Sequence, residues 1–443
     1  MHAAYDSWGR FPHANQEALP IFWRDESYKI DASAAHTYLP RGLGRSYGDV
    51  CLNDGGVLLL TENLKRFLAF DESSGLLRCE SGVTLADILK FFVPRGWFPP
   101  VTPGTKFVTV GGAIANDVHG KNHHSAGTFG RHVKRLELLR SCGERLVCSP
   151  CQNGELFRAT VGGLGLTGLI LWAELALKPI DQCFLEVEHI RFPDLETFFH
   201  LSEESEHGYE YSVAWVDCLA TGKNLGRGIF MRGNHVSGPA SPPGPGFAEP
   251  RFSVPFDFPT WVLNPWTIGA FNSLYYHRMH RDRQIAISHY DPFFYPLDAV
   301  RSWNRMYGSH GFVQHQCVVP TDSRFSPIRD ILRIISRAKV GSFLAILKVF
   351  GDLPSPGMLS FPRPGVTLAL DFANRPENLR LLDEIDNVVA DAGGAVNPSK
   401  DARMAPAHFR RFFPSWQDVL PYRDPHFSSS FWRRVTRPTS NDA

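Results

Sequence analysis

Hydrophobic and polar positions change period several times along this chain, and each change marks an element. Residues 56–60, GVLLL, form a short continuous apolar run that predicts a buried strand. Residues 65–71 and 76–81 alternate around Glu72–Gly75 and predict a hairpin. Thr84 then opens a helix through Val93, with Asp87 three residues on in a capping-box arrangement. Leu85, Ile88, Leu89 and Phe92 give that helix one apolar face. A second hairpin is predicted over 133–139 and 145–149, across Cys142–Glu144. A short helix near Glu155–Thr160 leads into the glycine-rich Gly162–Gly168, and a long strand runs on to about Leu177.

From about residue 181 the pattern shifts to strands separated by long loops, at 184–190, 210–217, 226–232, 312–319, 342–350 and 366–371. Helices are predicted at 327–339 and 377–391. The second follows Pro376, ends at Gly393–Gly394, and aligns Leu382, Ile385 and Val389. This is the pattern of an antiparallel sheet with helices on one face, an α+β arrangement. Residues 236–260 carry seven prolines and several glycines and read as a flexible loop.

The composition is that of an ordinary globular chain long enough for two domains. It has 443 residues, 43% hydrophobic and 21% charged, with a formal net charge of +1. So small a charge gives no electrostatic footprint for nucleic acid. The eight cysteines follow no framework. Cys148 and Cys151 form a lone C-x-x-C with no second pair, so no metal site is expected and all eight read as reduced thiols. The first twenty residues lack an apolar signal core, and no run of about 18 apolar residues could span a bilayer. A cytoplasmic or peripherally membrane-associated location is expected.

Two glycine-rich stretches carry the chemistry. The first, PRGLGRSYGD at 40–49, combines Gly42, Gly44 and Gly48 with Arg41 and Arg45, the composition of an anion-cradling loop. The second, PGTKFVTVGGAIANDVHGKNHHSAGTFG at 103–130, sets Gly104, Gly111, Gly112, Gly120 and Gly127 among Asn116, Asp117, His119, Lys121, Asn122, His123 and His124. A glycine-lined backbone beside clustered donors suits a large, flat cofactor with a pyrophosphate. A third match, Gly163-Leu-Gly165-Leu-Thr-Gly168, satisfies G-x-G-x-x-G in the wrong context. The dinucleotide fingerprint needs a strand before it and a helix after it, and the order here is reversed.

The succession PRGLGRSYGD, PGT, VGGAIANDVHGKNHHSAGTFG and ATVGGLGLTGLI resembles the flavin domain of the vanillyl-alcohol-oxidase class. HGKNHHSAG is specific to its decaprenylphosphoryl-ribose oxidase branch. Further echoes at Ala214–Trp215, 296–298, 303–308, 312–320, 347–351 and 399–403 extend the resemblance over nearly the whole chain. It implies a PCMH-type FAD-binding domain at 1–180, a substrate-binding domain at 181–395, and a segment at 396–443 returning to the FAD domain. Members of the class that bind flavin covalently do so through a histidine in the first loop. Arg45 stands at that place, so noncovalent FAD is expected, with His119 an attachment site only in principle.

The resemblance also distributes roles. Cofactor contacts are implied for Arg41, Gly42, Leu43, Gly44, Arg45, Ser46, Tyr47, Gly48 and Asp49. They are implied further for Gly104, Thr109, Val110, Gly111, Gly112, Asn116, Asp117, Val118, His119, Ile170 and Asn397, with 41–49 and 109–112 suited to the pyrophosphate. Asn397 stands where a tyrosine is usual. Lys400, His119 and Tyr47 are implied as catalytic. Lys400 is placed beside the flavin ring, to stabilise negative charge or, with a lowered pKa, to accept a proton. Lys121, Trp215, Gln314, Gln316, Lys348 and Phe294 form the implied substrate wall. Alternation puts Gln314 and Gln316 on one strand face, where two amides and an ammonium suit a sugar phosphate. Phe294–Tyr295 stands where the family has tyrosine then histidine, and Ala369 where relatives often carry cysteine.

The expected activity is oxidation of a secondary alcohol, the C2 hydroxyl of a polyprenylphosphoryl-β-D-ribose-like lipid-linked sugar phosphate. A separate keto-reductase partner would complete a ribose-to-arabinose epimerisation. A free sugar, polyol or aldonolactone is the alternative substrate, and a noncatalytic flavoprotein the alternative of another kind. The aromatic and basic stretch 255–281, with the preceding loop from 236, could meet a prenyl tail or membrane interface, or pack on its own domain.

Overall fold

Two antiparallel sheets frame the molecule. The computed structural model describes residues 5–26, 36–238, 250, 252–259, 261–321 and 326–438. The proline-rich loop expected over 236–260 falls largely outside the described residues.

The first sheet has five strands in the order Phe67–Asp71, Leu76–Glu80, Leu169–Ala176, Val133–Leu139, Arg145–Cys148. Both hairpins follow the predicted alternation. Helix Leu85–Phe92 is capped by Thr84, whose side chain accepts from the Asp87 N–H while the Asp87 side chain accepts from the Thr84 N–H. Its Leu85, Ile88 and Phe92 pack with Leu77, Ala173 and Leu175 of the sheet in one apolar core. A small parallel sheet of Glu17–Pro20, Val57–Leu60 and Tyr38–Arg41 lies alongside, and its last strand delivers the first glycine loop. The G-x-G-x-x-G run follows helix Gly154–Thr160 and enters strand Leu169–Ala176, so its backbone context is not that of a nicotinamide site.

The second sheet has eight strands, ordered Arg283–His289, Phe184–Phe192, Gly228–His235, Tyr211–Val216, Ala345–Phe350, Gly365–Ala373, Phe312–Val319, Ala395–Val396. Helices Leu195–Ser205, Ser326–Ala338 and Pro376–Asp391 bury apolar residues against one face in a single core with Phe192, Phe230, Leu347 and Leu368. That is the α+β arrangement the strand and helix pattern predicts. The strand Arg283–His289 and the helix Pro265–His277 have no counterpart among the predicted elements.

The face of the eight-stranded sheet away from those helices is turned toward the glycine loops. Asp298 accepts from Thr105 Oγ1 and from the Lys106 N–H, both at 2.8 Å. The Lys106 ammonium, itself buried, pairs with Asp291. The C-terminal stretch touches both the large sheet and the small parallel one. Ala395–Val396 pairs with Cys317 and Val318, and the Ser428 N–H donates to Tyr38 O at 3.0 Å. Arg434 donates to both Asp49 (2.7 Å) and Asp401 (2.8 Å).

Candidate active site

A cavity of about 690 Å³ lies between the glycine loops and the large sheet. Its floor is the first loop. Gly44 has φ +60°, and a Cβ there would meet Arg41 Nη2 at 2.0 Å, so only glycine permits this turn. At Gly42 an added Cβ would meet Thr109 Oγ1 at 2.2 Å, which shows how closely the two glycine stretches approach. The N–H groups of Gly42, Leu43, Gly44, Arg45 and Ser46 donate to no group among the described residues. Beside them, Arg41 Nε, Arg45 Nε and Ser81 Oγ are buried without partners, and all three residues line the cavity. A run of free backbone donors with orphaned guanidinium nitrogens is the setting of a pyrophosphate.

The second stretch differs from expectation in one respect. Its N–H groups at 110–112 are already engaged: Val110 donates to Val83 O, Gly111 to Ser81 O, and Gly112 to Thr109 Oγ1. The free backbone donors therefore lie at Gly42–Ser46, while Thr109, Gly111 and Gly112 line the cavity as close-approach surface. Four residues expected as cofactor contacts do not line it. Gly48 packs on Asp401, where an added Cβ would sit 1.8 Å from the carbonyl oxygen. Asp49 is held by Arg434. Val110 belongs to the apolar core. Asp117 is spent on the Ser355 and Ser360 hydroxyls and the Gly130 N–H. These four hold the loops in place. Gly104, Asn116, Val118 and Ile170 do line the cavity, and Asn116 Oδ1 is buried there without a donor.

The opposite wall comes from strand Phe312–Val319 and its neighbours. Gln314 and Gln316 both face the cavity, as alternation requires. Gln316 Nε2 lies 3.0 Å from His119 Nε2 and 3.2 Å from Thr367 Oγ1, and Asn397 Nδ2 donates to Gln316 Oε1 at 2.9 Å. Gln314 Nε2 donates to Asp371 Oδ1 at 2.5 Å. Lys348 Nζ lies 3.2 Å from His119 Nδ1, whose ring packs edge-on to Phe350. Lys121 Nζ donates to Phe293 O at 2.6 Å. Lys400 Nζ sits 4.0 Å over the Tyr47 ring, a cation–π contact. Trp215 donates through Nε1 to Phe343 O at 3.0 Å, and Phe294 and Ala369 complete the lining.

Electrostatics set the character of this space. Burial lowers Lys121 and Lys348 to about 7, the latter helped by Lys121 and Lys400. Burial lowers Lys400 to about 8, opposed by the charge of Asp371. Burial and the neighbouring Lys348 hold His119 well below its ordinary value, so the imidazole is neutral. Among the described residues none of the three lysines forms an ion pair. Asp371 was not singled out in the sequence. It is buried, its Oδ2 has no partner, and desolvation raises it to about 7. Alternation of Thr367, Ala369 and Asp371 against Leu368, Leu370 and Phe372 was the available signal.

Comparison with known proteins agrees with this geometry. The FAD binding domain family model matches residues 28–149. Decaprenylphosphoryl-beta-D-ribose oxidase of Mycolicibacterium smegmatis is 36% identical over 410 residues, 90% of this chain and 88% of that protein. An uncharacterized protein in the mprA 5′ region of Streptomyces coelicolor is 33% identical over 80% of this chain and all of its own 100%. Human Delta(24)-sterol reductase is 30% identical over 33% of this chain and 29% of its own. The free donors of Gly42–Ser46 and the orphaned Arg41 and Arg45 nitrogens fit FAD as the cofactor. With that fit and a relative matched over nearly its full length, the chain belongs to the decaprenylphosphoryl-β-D-ribose oxidase family of FAD-dependent oxidoreductases.

Proposed function

We propose that this enzyme oxidises the C2 hydroxyl of a polyprenylphosphoryl-β-D-ribose-like sugar to the 2-keto sugar. The observation that carries this reading is the set of three unpaired lysines, Lys121, Lys348 and Lys400, in one cavity with the carboxamides of Gln314 and Gln316. Buried ammonium groups that form no ion pair among the described residues, with only the Asp371 carboxylate acting on Lys400, favour an anionic ligand, because a phosphate returns the stabilisation that desolvation removed. A free sugar, polyol or aldonolactone supplies no such charge. The carboxamides offer donors and acceptors to ring hydroxyls.

Bound FAD supplies the hydride acceptor. Around it the chain's own groups divide the work. Arg41, Arg45 and the Gly42–Ser46 backbone hold the pyrophosphate. Gln314, oriented by the bond from its Nε2 to Asp371, offers its amide to the sugar. Lys121 and Lys348 take the sugar's phosphate. The C2 hydroxyl proton passes to solvent water while Lys400 stabilises the negative charge that develops on that oxygen, and Tyr47 positions the ammonium. His119, held neutral, orients Gln316. Arginine at position 45 cannot form a flavin bond, so the cofactor is held noncovalently, and a separate keto-reductase would consume the product.

Anaerobic titration of the holoenzyme with a panel of sugars and sugar phosphates tests the reading. Bleaching of the flavin by a prenylphosphoryl ribose, and not by free ribose or an aldonolactone, is expected. Equal bleaching by the uncharged sugars would overturn it, and no bleaching by any alcohol would mark a noncatalytic flavoprotein. Acid precipitation should leave all yellow colour in the supernatant. Colour in the pellet would refute noncovalent binding.

A further inference from the structure

The helix Pro265–His277 carries two stripes of opposite character. One is turned inward: Ile268 and Asn272 are buried, and Asn272 Nδ2 donates to Asp217 at 2.9 Å. The other stripe faces out, with Trp266 87% exposed and Leu274 74% exposed, about 80° apart around the helix and both on its outward half. Trp261 before the helix is 72% exposed. A globular surface seldom leaves so many large apolar side chains bare in one segment.

Charge identifies what would cover them. Between Phe252 and His289 the sequence has only two carboxylates, Asp257 and Asp282, against Arg278, Arg281 and Arg283. Both carboxylates are neutralised by arginines from elsewhere, Asp257 by Arg10 at 2.6 Å and Asp282 by Arg191 at 2.5 Å. With Arg283 paired to Glu188 at 3.7 Å, Arg278 and Arg281 remain to make the helix and its flank aromatic, aliphatic and net basic, the composition of a segment that lies in a bilayer interface beside anionic headgroups. It is also continuous with the active site. Phe271 and Arg278 are exposed and at the same time line the cavity, so the bare stripe meets the cavity rim. A second protein copy seated there would cover that rim. A bilayer would cover the same side chains and present its own lipids to the opening.

The geometry points to Pro265–His277, with Trp261 and the basic turn that follows the helix, as a docking surface for a membrane containing anionic lipid. The choice of a lipid surface over a second copy rests on the proposed lipid-linked substrate, but the docking itself does not need that substrate. The test uses holoenzyme and vesicles of phosphatidylcholine alone, or of phosphatidylcholine and phosphatidylglycerol in equal parts, with no sugar lipid present. Wild type should co-sediment with the mixed vesicles, less with the neutral ones, and less again at high salt. Trp266→Ser with Leu274→Ser should weaken partitioning by about tenfold or more, and Arg281→Glu should act only on the mixed vesicles. Both variants should keep wild-type bleaching by a short-chain water-soluble substrate, which shows that they fold. Absence of wild-type binding, or unchanged binding by the double variant, overturns the proposal. So does a wild-type dimer that the double variant turns into a monomer, since a second copy would then own the surface. Failure of the sugar titration alongside intact vesicle binding would instead sink only the substrate reading.

Discussion

Lys400 is the residue on which two roles can be separated. Its ammonium lies over Tyr47, and burial brings it to about 8. Replacement by alanine should keep FAD and lower kcat by about 10²–10³-fold, the range for removing one group aimed at developing charge. Lys400→Arg restores the charge and cannot accept a proton at neutral pH. Partial recovery of kcat by arginine over alanine is the expected outcome of the electrostatic role, and equal loss in both variants would assign a proton-accepting role instead. Asp371 acts through its neighbours. Its charge raises the Lys400 pKa, so Asp371→Asn should move the alkaline fall of kcat to lower pH, while flavin content stays full. An unmoved profile would reduce Asp371 to a packing residue. Gln314, Gln316 and Lys400 were legible in the sequence, through alternation and the family motif. Asp371 was less so, because its meaning depends on the strand register that sets it against Gln314, and register is a property of pairing rather than of one strand.

Elements differ in how plainly their sequences announce them. Helix Leu85–Phe92 combines a capping box with one clean apolar face, and the first hairpin alternates around a polar turn ending at Gly75, which has φ +70°. Helix Pro265–His277 hides itself, because aromatic residues occupy both its faces and its inward stripe contains Asn272. The strand Arg283–His289 points Ile285 and Ile287 outward, against the usual rule. The first glycine loop was legible as a tight, arginine-flanked turn, and its N–H groups from Gly42 to Ser46 are free among the described residues. The second was misread as a donor of N–H groups, since its bonds to Ser81 and Val83 are long-range contacts that local composition does not reveal. The loop conformation itself is testable at Gly44. Gly44→Ala forces a side chain into a left-handed turn at a cost of about 1–2 kcal/mol, and its Cβ collides with Arg41. The purified variant should show a clearly reduced ratio of flavin to protein absorbance with its circular dichroism intact. Full flavin occupancy would show that the loop tolerates a different path.

At the scale of the whole molecule, the cavity's cationic groups couple function to stability. Lys121 and Lys348 at about 7, and Lys400 at about 8, all lie below the ordinary 10.5. Above 10.5 these groups are neutral in both folded and unfolded chains. As pH falls from there the unfolded chain takes up their protons first, so their contribution to stability drops steadily until the folded values are passed. Asp371, raised to about 7 from 3.8, has the opposite sign: its contribution is full below 3.8 and is lost as pH rises through 7. The two slopes meet near neutrality, where this cluster is least favourable to the fold. Lys121→Met with Lys348→Met removes two of the lysines while keeping chain length. In the apoprotein the double variant should therefore unfold at higher urea than wild type near pH 7, and the difference should close between about pH 7 and 10 as the wild-type lysines lose their burden. A difference that stayed constant across that range would mean that the two lysines keep their charge on the same terms folded and unfolded, and that the cavity is wetter than its lining implies.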